Sequence, residues 1–247
     1  MARYFIHLAY RGESFHGWQV QPNAVSVQSV LEDALSTLLR SKTGITGAGR
    51  TDTGVNAAMM IAHFDSEEIA DTKQLVHKLN SIVGKDITIY RIFKVADDAH
   101  ARFDATSRTY KYFVHTQKSP FLYPLSWHCH YDLDFGLMNK AAEMLLNVTD
   151  FTSFSKLHTD AKTNDCDVTH AKWERENGQW VFTITANRFL RNMVRAVVGT
   201  LVEVGRHKMT LEQFERVIGQ KDRCAAGTSM PGNALFLWDI TYPYPIN

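Results

Sequence analysis

Along this chain the apolar residues switch repeatedly between two spacings, and that switching limits the fold more than any other feature. Arg3 to Tyr10 is rich in aromatic and β-branched residues and reads as a strand. From Val27, the positions Val30, Leu31, Ala34, Leu35, Leu38 and Leu39 recur at helical spacing, with Ser26 placed to cap the first turn. Ala58 to Phe64 is an apolar run of strand length. Leu75, Val76, Leu79, Ile82 and Val83 mark a second amphipathic helix, and Ile87 to Val95 a further strand. The opening part of the chain therefore reads strand, helix, strand, helix, strand.

The same grammar then repeats. Ser107 to His115 reads as a strand, and Leu137, Met138, Ala141, Ala142, Leu145 and Leu146 as a helix stripe. Val168 to Glu176 and Trp180 to Ala186 flank Asn177-Gly178, a strong signal for a two-residue hairpin turn. Met193 to Val204 and Leu211 to Ile218 read as helices, and Ala234 to Ile240 as a last strand. Two such sets predict an α+β protein of two α/β halves, residues 1–104 and 105–247, the first carrying the loop described next.

Glycines crowd the stretch Gly47-Ala48-Gly49-Arg50-Thr51-Asp52-Thr53-Gly54-Val55-Asn56-Ala57 around one arginine and one aspartate. Because an apolar strand run follows, the core holds this loop from one side, and Asp52 is expected to be fixed. It is not a phosphate loop, which needs Lys and then Ser or Thr after the last glycine, whereas Val55 follows Gly54. Nor is it a dinucleotide fingerprint, whose glycines open a helix. Two readings stand on pattern alone. Asp52 either caps a backbone amide or pairs with Arg50 in a tight turn, or it is an ionised acid of a site.

Composition narrows the rest. The 247 residues suffice for a substantial core, and a net charge of +1 neither demands nor excludes a nucleic-acid partner. Any basic face must come from clustering: Arg40 with Lys42; Arg50; Arg102, Arg108 and Lys111; Lys156 and Lys162; Arg188, Arg191 and Arg195; and Arg206, His207 and Lys208. Cys129, Cys166 and Cys224 form an odd, scattered set and read as reduced thiols of a cytoplasmic protein. No signal peptide is expected at the N-terminus, and no apolar stretch reaches membrane-spanning length. His128-Cys129-His130 lacks further ligands at metal-site spacing, and no nucleophile elbow surrounds Ser153 and Ser155, so neither metal nor hydrolase chemistry is expected.

The loop Arg50-Thr51-Asp52-Thr53-Gly54-Val55-Asn56-Ala57 resembles the Gly-Arg-Thr-Asp-Ala-Gly-Val-His signature of the tRNA pseudouridine synthase A (TruA) family, with Thr53 and Asn56 departing from it. Phe189-Leu190, Met193-Val194-Arg195 and Gly199 resemble a second family segment. His100-Ala101-Arg102 with Arg108, Tyr110 and Tyr112 resembles a third, in which Ala99 replaces an aromatic residue. Tyr10-Arg11-Gly12, Gly17-Trp18-Gln19, Asp150 to Phe154 and Leu235-Phe236-Leu237 extend the likeness along nearly the whole chain. Near the end, Pro231 to Leu235 departs from the usual Gly-Leu.

The resemblance implies the pseudouridine synthase fold: two related, ferredoxin-like α/β halves joined in one mixed, mostly antiparallel sheet, with a cleft between them. It implies an isomerase that converts uridines 38, 39 and 40 of the tRNA anticodon stem-loop to pseudouridine. Asp52 would be the nucleophile and Arg195 its cationic partner. Tyr110 would stack on the target base, Arg50 would help extract it, Arg102 would touch phosphate, and the loop from His158 to Lys162 would meet the tRNA. No cofactor is implied, and a homodimer is. Two other readings are kept: a tRNA-binding protein without chemistry, and a pseudouridine synthase for another RNA site.

Overall fold

In the computed structural model, which describes residues 1–156 and 163–246, the chain divides into two units. The first comprises Met1–Thr106 and the chain from Leu237 onward, and the second comprises Ser107–Phe236. The sequence reading assigns that last stretch to the second half. Its side chains explain the difference, because Tyr242 and Tyr244 lie against the buried ring of Phe5, with ring centroids 5.7 and 6.5 Å away.

The first unit contains β1 (Ala2–Tyr10), α1 (Val27–Leu39), β2 (Thr46–Gly47), β3 (Asn56–Ser66), α2 (Thr72–Ile82) and β4 (Ile87–Lys94). β1 pairs antiparallel with both β3 and β4, and β2 adds two residues beside β3. Ser26 caps α1 as expected. Its side chain accepts from the Ser29 amide, and Ser29 answers the Ser26 amide in a capping box. Leu31 and Leu35 of α1 and Leu75 and Leu79 of α2 are buried, matching the apolar stripes of the sequence.

The second unit contains β5 (Ser107–His115), β6 (Trp127–His128), α3 (Phe135–Met144), β7 (Val168–Glu176), β8 (Gln179–Ala186), α4 (Met193–Gly205) and α5 (Leu211–Gln220). β8 pairs antiparallel with β5 on one side and β7 on the other, and the short β6 runs parallel to β5. The β7–β8 hairpin turns at Asn177 and Gly178, whose φ angles of 48° and 82° fit the mirror-image turn that matches strand twist. α4 buries eleven residues, including Val197, Val198, Leu201 and Val204, and forms the centre of this unit's core. The last strand, β9 (Leu235–Thr241), belongs to the first unit from Leu237 onward and lies beside β3 there. The content is thus α+β, and the long strand pairs within each unit are antiparallel.

Candidate active site

The Asp52 loop is fastened along its length to the segment after β1. Trp18 N–H donates to the Thr51 carbonyl at 3.2 Å, and Gly54 N–H donates to the Phe15 carbonyl at 3.4 Å. The Thr51 hydroxyl, in a residue only 8% exposed, shares a 2.8 Å hydrogen bond with the Tyr10 hydroxyl. Asn56 Oδ1 accepts from Gly12 N–H at 2.8 Å. Gly17 adopts φ +87°, and a Cβ there would collide with the Thr51 carbonyl oxygen, so only glycine lets the two segments meet this closely. At the loop's upstream end, Ala48 N–H donates to the Ile61 carbonyl at 2.8 Å. Asp52 turns the chain through its backbone carbonyl, which accepts from Val55 N–H at 3.1 Å, and its side chain is half-buried. Arg50, two residues earlier, is exposed.

Arg102 is also exposed and sits in a tight loop of the first unit. His100 Nδ1 accepts from the Arg102 and Phe103 amides at 3.1 and 3.2 Å, and Asp104 Oδ2 accepts from His100 N–H at 2.7 Å. Behind them His63 Nδ1 accepts from the Ala101 amide at 3.2 Å. Burial, with the His100 and Arg3 charges, pushes His63 down to about 4, so this imidazole is neutral and remains an acceptor at neutral pH.

In the second unit, alternation along β5 places Tyr110 and Tyr112 on one face, while Thr109 and Lys111 take the other. Thr109 pairs with the Thr185 hydroxyl, and Lys111 bridges to Glu176 at 2.9 Å. Tyr110 is 9% exposed, and its ring meets the Phe189 ring edge-to-face at 5.0 Å. Tyr112 is fully buried, and burial drives its phenol far above the ordinary range. Arg195, in the first turn of α4, is half-buried. Its Nε donates to the Met230 carbonyl at 2.6 Å, and its own carbonyl accepts from Met230 N–H at 3.1 Å. The charge of Arg195 reaches Tyr112, where it opposes the effect of burial.

The structure thus brings Asp52 and Arg50 into one pinned loop of the first unit, with Arg102 in a second loop of that unit. In the second unit it sets Phe189 against Tyr110 and places the Arg195 charge within reach of Tyr112. His158 and Lys162 lie outside the described residues. Sequence reasoning missed the fasteners: Tyr10, Asn56, Trp18, His63 and the Met230 carbonyl. Asn56 carried a signal, because a side chain that departs from the family signature still supplies an acceptor to the backbone. Met230 carried none, because a carbonyl is common to every residue. No group of three or more potential metal-ligating side chains occurs among the described residues. His128 and His130 instead lie ring against ring, with centroids 4.2 Å apart, and His128 stacks on His115 at 5.0 Å. Ser153 is structural too: its hydroxyl donates to the Val217 carbonyl at 2.6 Å and accepts from Asp222 N–H at 3.1 Å.

Residues 141–243 match the family model described as tRNA pseudouridine synthase. The chain is 59% identical over 244 residues to a protein of Parabacteroides distasonis named tRNA pseudouridine synthase A, covering 98% of this chain and 97% of that one. A protein of Bacteroides thetaiotaomicron with the same name is 57% identical over 249 residues, covering 100% of this chain and 93% of that protein. A more distant one, from Bacillus subtilis, is 36% identical over 240 residues, covering 95% and 97%. These matches, with the α+β fold, define the class as the pseudouridine synthases, which are isomerases. Within that class, the chain belongs to the tRNA pseudouridine synthase A family.

Proposed function

We propose that this protein converts uridines of the tRNA anticodon stem-loop to pseudouridine, with Asp52 as nucleophile and Arg195 as its counter-charge. The observation that supports this most directly is the Asp52 loop. Its family-like signature is held by four separate hydrogen bonds to its neighbours and a glycine contact, and it offers one half-buried carboxylate. A nucleophilic carboxylate must stay ionised, and a guanidinium beside it favours the charged form and fixes its direction.

In the proposed reaction, Asp52 attacks either ribose C1′ or base C6. The glycosidic C1′–N1 bond breaks, and the uracil turns within the site. A C1′–C5 bond forms, and the ester bond breaks in the same step after attack at C1′ or by later elimination after attack at C6. C5 gives up its proton to water, N1 takes one from water, and Asp52 leaves as the free carboxylate. One carbon–nitrogen bond is exchanged for one carbon–carbon bond within the same nucleotide, so the scheme draws on no cofactor. Tyr110 supplies a ring for the extracted base. Stacking of about 1–3 kcal/mol offsets much of the few kcal/mol spent on flipping. Arg50 and Arg102, both exposed, reach the RNA backbone and the vacated stack.

The wider reading is a cytoplasmic homodimer whose tRNA contacts include the His158 to Lys162 loop. It is supported by the family resemblance, and sedimentation with and without tRNA tests it. The chemistry is tested by tritium release from tRNA carrying 5-tritiated uridine. Wild-type protein should release tritium, while Asp52→Asn should bind the same tRNA and release none. Release by the variant would overturn the assignment. Binding by both proteins with release by neither would favour a tRNA-binding protein without chemistry.

A further inference from the structure

Arg195 is held by a strap that returns to it from well downstream. α4 begins at Met193 after Asn192, whose φ of 66° is left-handed and whose side chain makes no capping bond to the helix. An asparagine at this position ordinarily turns its oxygen to the helix amides. Here the amide is diverted, and Asn192 Nδ2 donates to Ser229 Oγ at 2.6 Å. The same oxygen accepts from Arg223 Nη2 at 2.7 Å, while Arg223 Nη1 donates to the Gly227 carbonyl at 3.1 Å.

The strap lies directly on the helix. Gly227 N–H donates to Thr200 Oγ1 at 2.9 Å, and Thr200 is fully buried. A Cβ at Gly199 would collide with the Thr228 carbonyl oxygen, and one at Gly227 would stand 2.9 Å from the Gly199 carbonyl oxygen. The strap then ends at Met230, whose carbonyl accepts from Arg195 Nε–H at 2.6 Å. A guanidinium is planar, so fixing Nε against one acceptor also fixes the plane in which its two Nη groups lie.

We infer that Ser229, by bridging Asn192 and Arg223, is a positioning residue that sets the plane and direction of the Arg195 guanidinium during turnover. The inference rests on the role given to Arg195 above. Without the Ser229 oxygen, two donors lose their acceptor, and the strap loses its tie to Asn192 between the Gly227–Thr200 bond and the two Met230 bonds to Arg195. A displacement near 1 Å at a catalytic group costs on the order of a hundredfold in rate.

The test is single-turnover tritium release from 5-tritiated tRNA by the full chain, with tRNA affinity and Tm measured in parallel. Ser229→Ala should lose roughly tenfold to a hundredfold in rate, with affinity and Tm close to wild type. Ser229→Thr, which keeps the oxygen, should recover most of the rate. Asn192→Gly keeps the left-handed backbone and removes one donor, so it should lose less than Ser229→Ala. In an Arg195→Lys background, where the Nε contact is already gone, Ser229→Ala should add little, because partners in one network are not additive. Full activity of Ser229→Ala beside an inactive Arg195→Ala would overturn this inference alone. Full activity of Arg195→Ala would overturn the reading beneath it. Equal losses from Ser229→Ala in both backgrounds would also overturn it, by showing a general structural effect.

Discussion

The loop that carries Asp52 is tied to residues that precede it: Tyr10, Gly12, Phe15 and Trp18, all near the end of β1. The head of α4, which carries Arg195, is tied to residues that follow it, from Arg223 to Met230. Two of these four ties are backbone hydrogen bonds, and the other two run through the buried side chains of Thr51 and Asn56, all set against a buried strand and the fully packed Trp18. The second set runs through the half-buried side chains of Asn192, Ser229 and Arg223. A loop stitched by backbone and buried side chains tolerates change in its exposed ones. A helix head braced by side chains transmits a distant substitution to the group it carries.

The strongest way to break this comparison is to remove each end-point. Asp52→Asn removes the proposed nucleophile and should lower tritium release by at least about a thousandfold. Its unfolding midpoint in urea should stay close to wild type, because the substitution leaves the ties of Thr51, Gly54 and Asn56 in place. Arg195→Ala should cost roughly 3–5 kcal/mol at the site if the guanidinium and carboxylate form a desolvated pair, read as loss of kcat with intact tRNA binding. Wild-type turnover in that variant would dissolve the pairing.

Smaller effects sharpen the contrast. His63 is neutral in the fold, with its pKa lowered to about 4, and unfolding returns it to about 6.5. The unfolded chain then binds the extra proton, so this contribution to stability is complete above pH 6.5. It declines as pH falls from there to about 4, by roughly 3 kcal/mol in all. Urea unfolding at pH 7 and pH 4.5 should show that loss in the wild type, and His63→Asn should flatten it. Tyr110→Ala should weaken tRNA turnover by about 1–3 kcal/mol, and Tyr110→Phe by much less. Equal losses would assign the work to the hydroxyl. Asn56→Ala, which leaves the Gly12 amide without its acceptor, should cost about 1–3 kcal/mol in unfolding free energy.

The same contrast explains how much could be read in advance. α1, α2 and the β7–β8 hairpin were legible because their signals are local: an apolar stripe, a capping serine, an Asn-Gly turn. The fixing of the Asp52 loop was legible in outline, because glycines beside an apolar strand demand close packing. Its agents were not, because Tyr10 and Asn56 lie far apart in sequence from the groups they hold. The short strands β2 and β6 have too few residues to show a period. The brace on Arg195 was invisible for a different reason. It depends on which oxygen an asparagine chooses, and spacing cannot reveal that choice. The placement of the last strand failed through order: strands adjacent in the chain usually neighbour one another, and here the chain returns to its beginning.

That return has a consequence for synthesis. Phe5 is made before the second unit, yet Tyr242 and Tyr244, two of the rings that lie against it, are made only after all of that unit. On the ribosome the earlier unit must therefore wait, with part of its apolar surface bare, while the later unit completes itself inside the interruption.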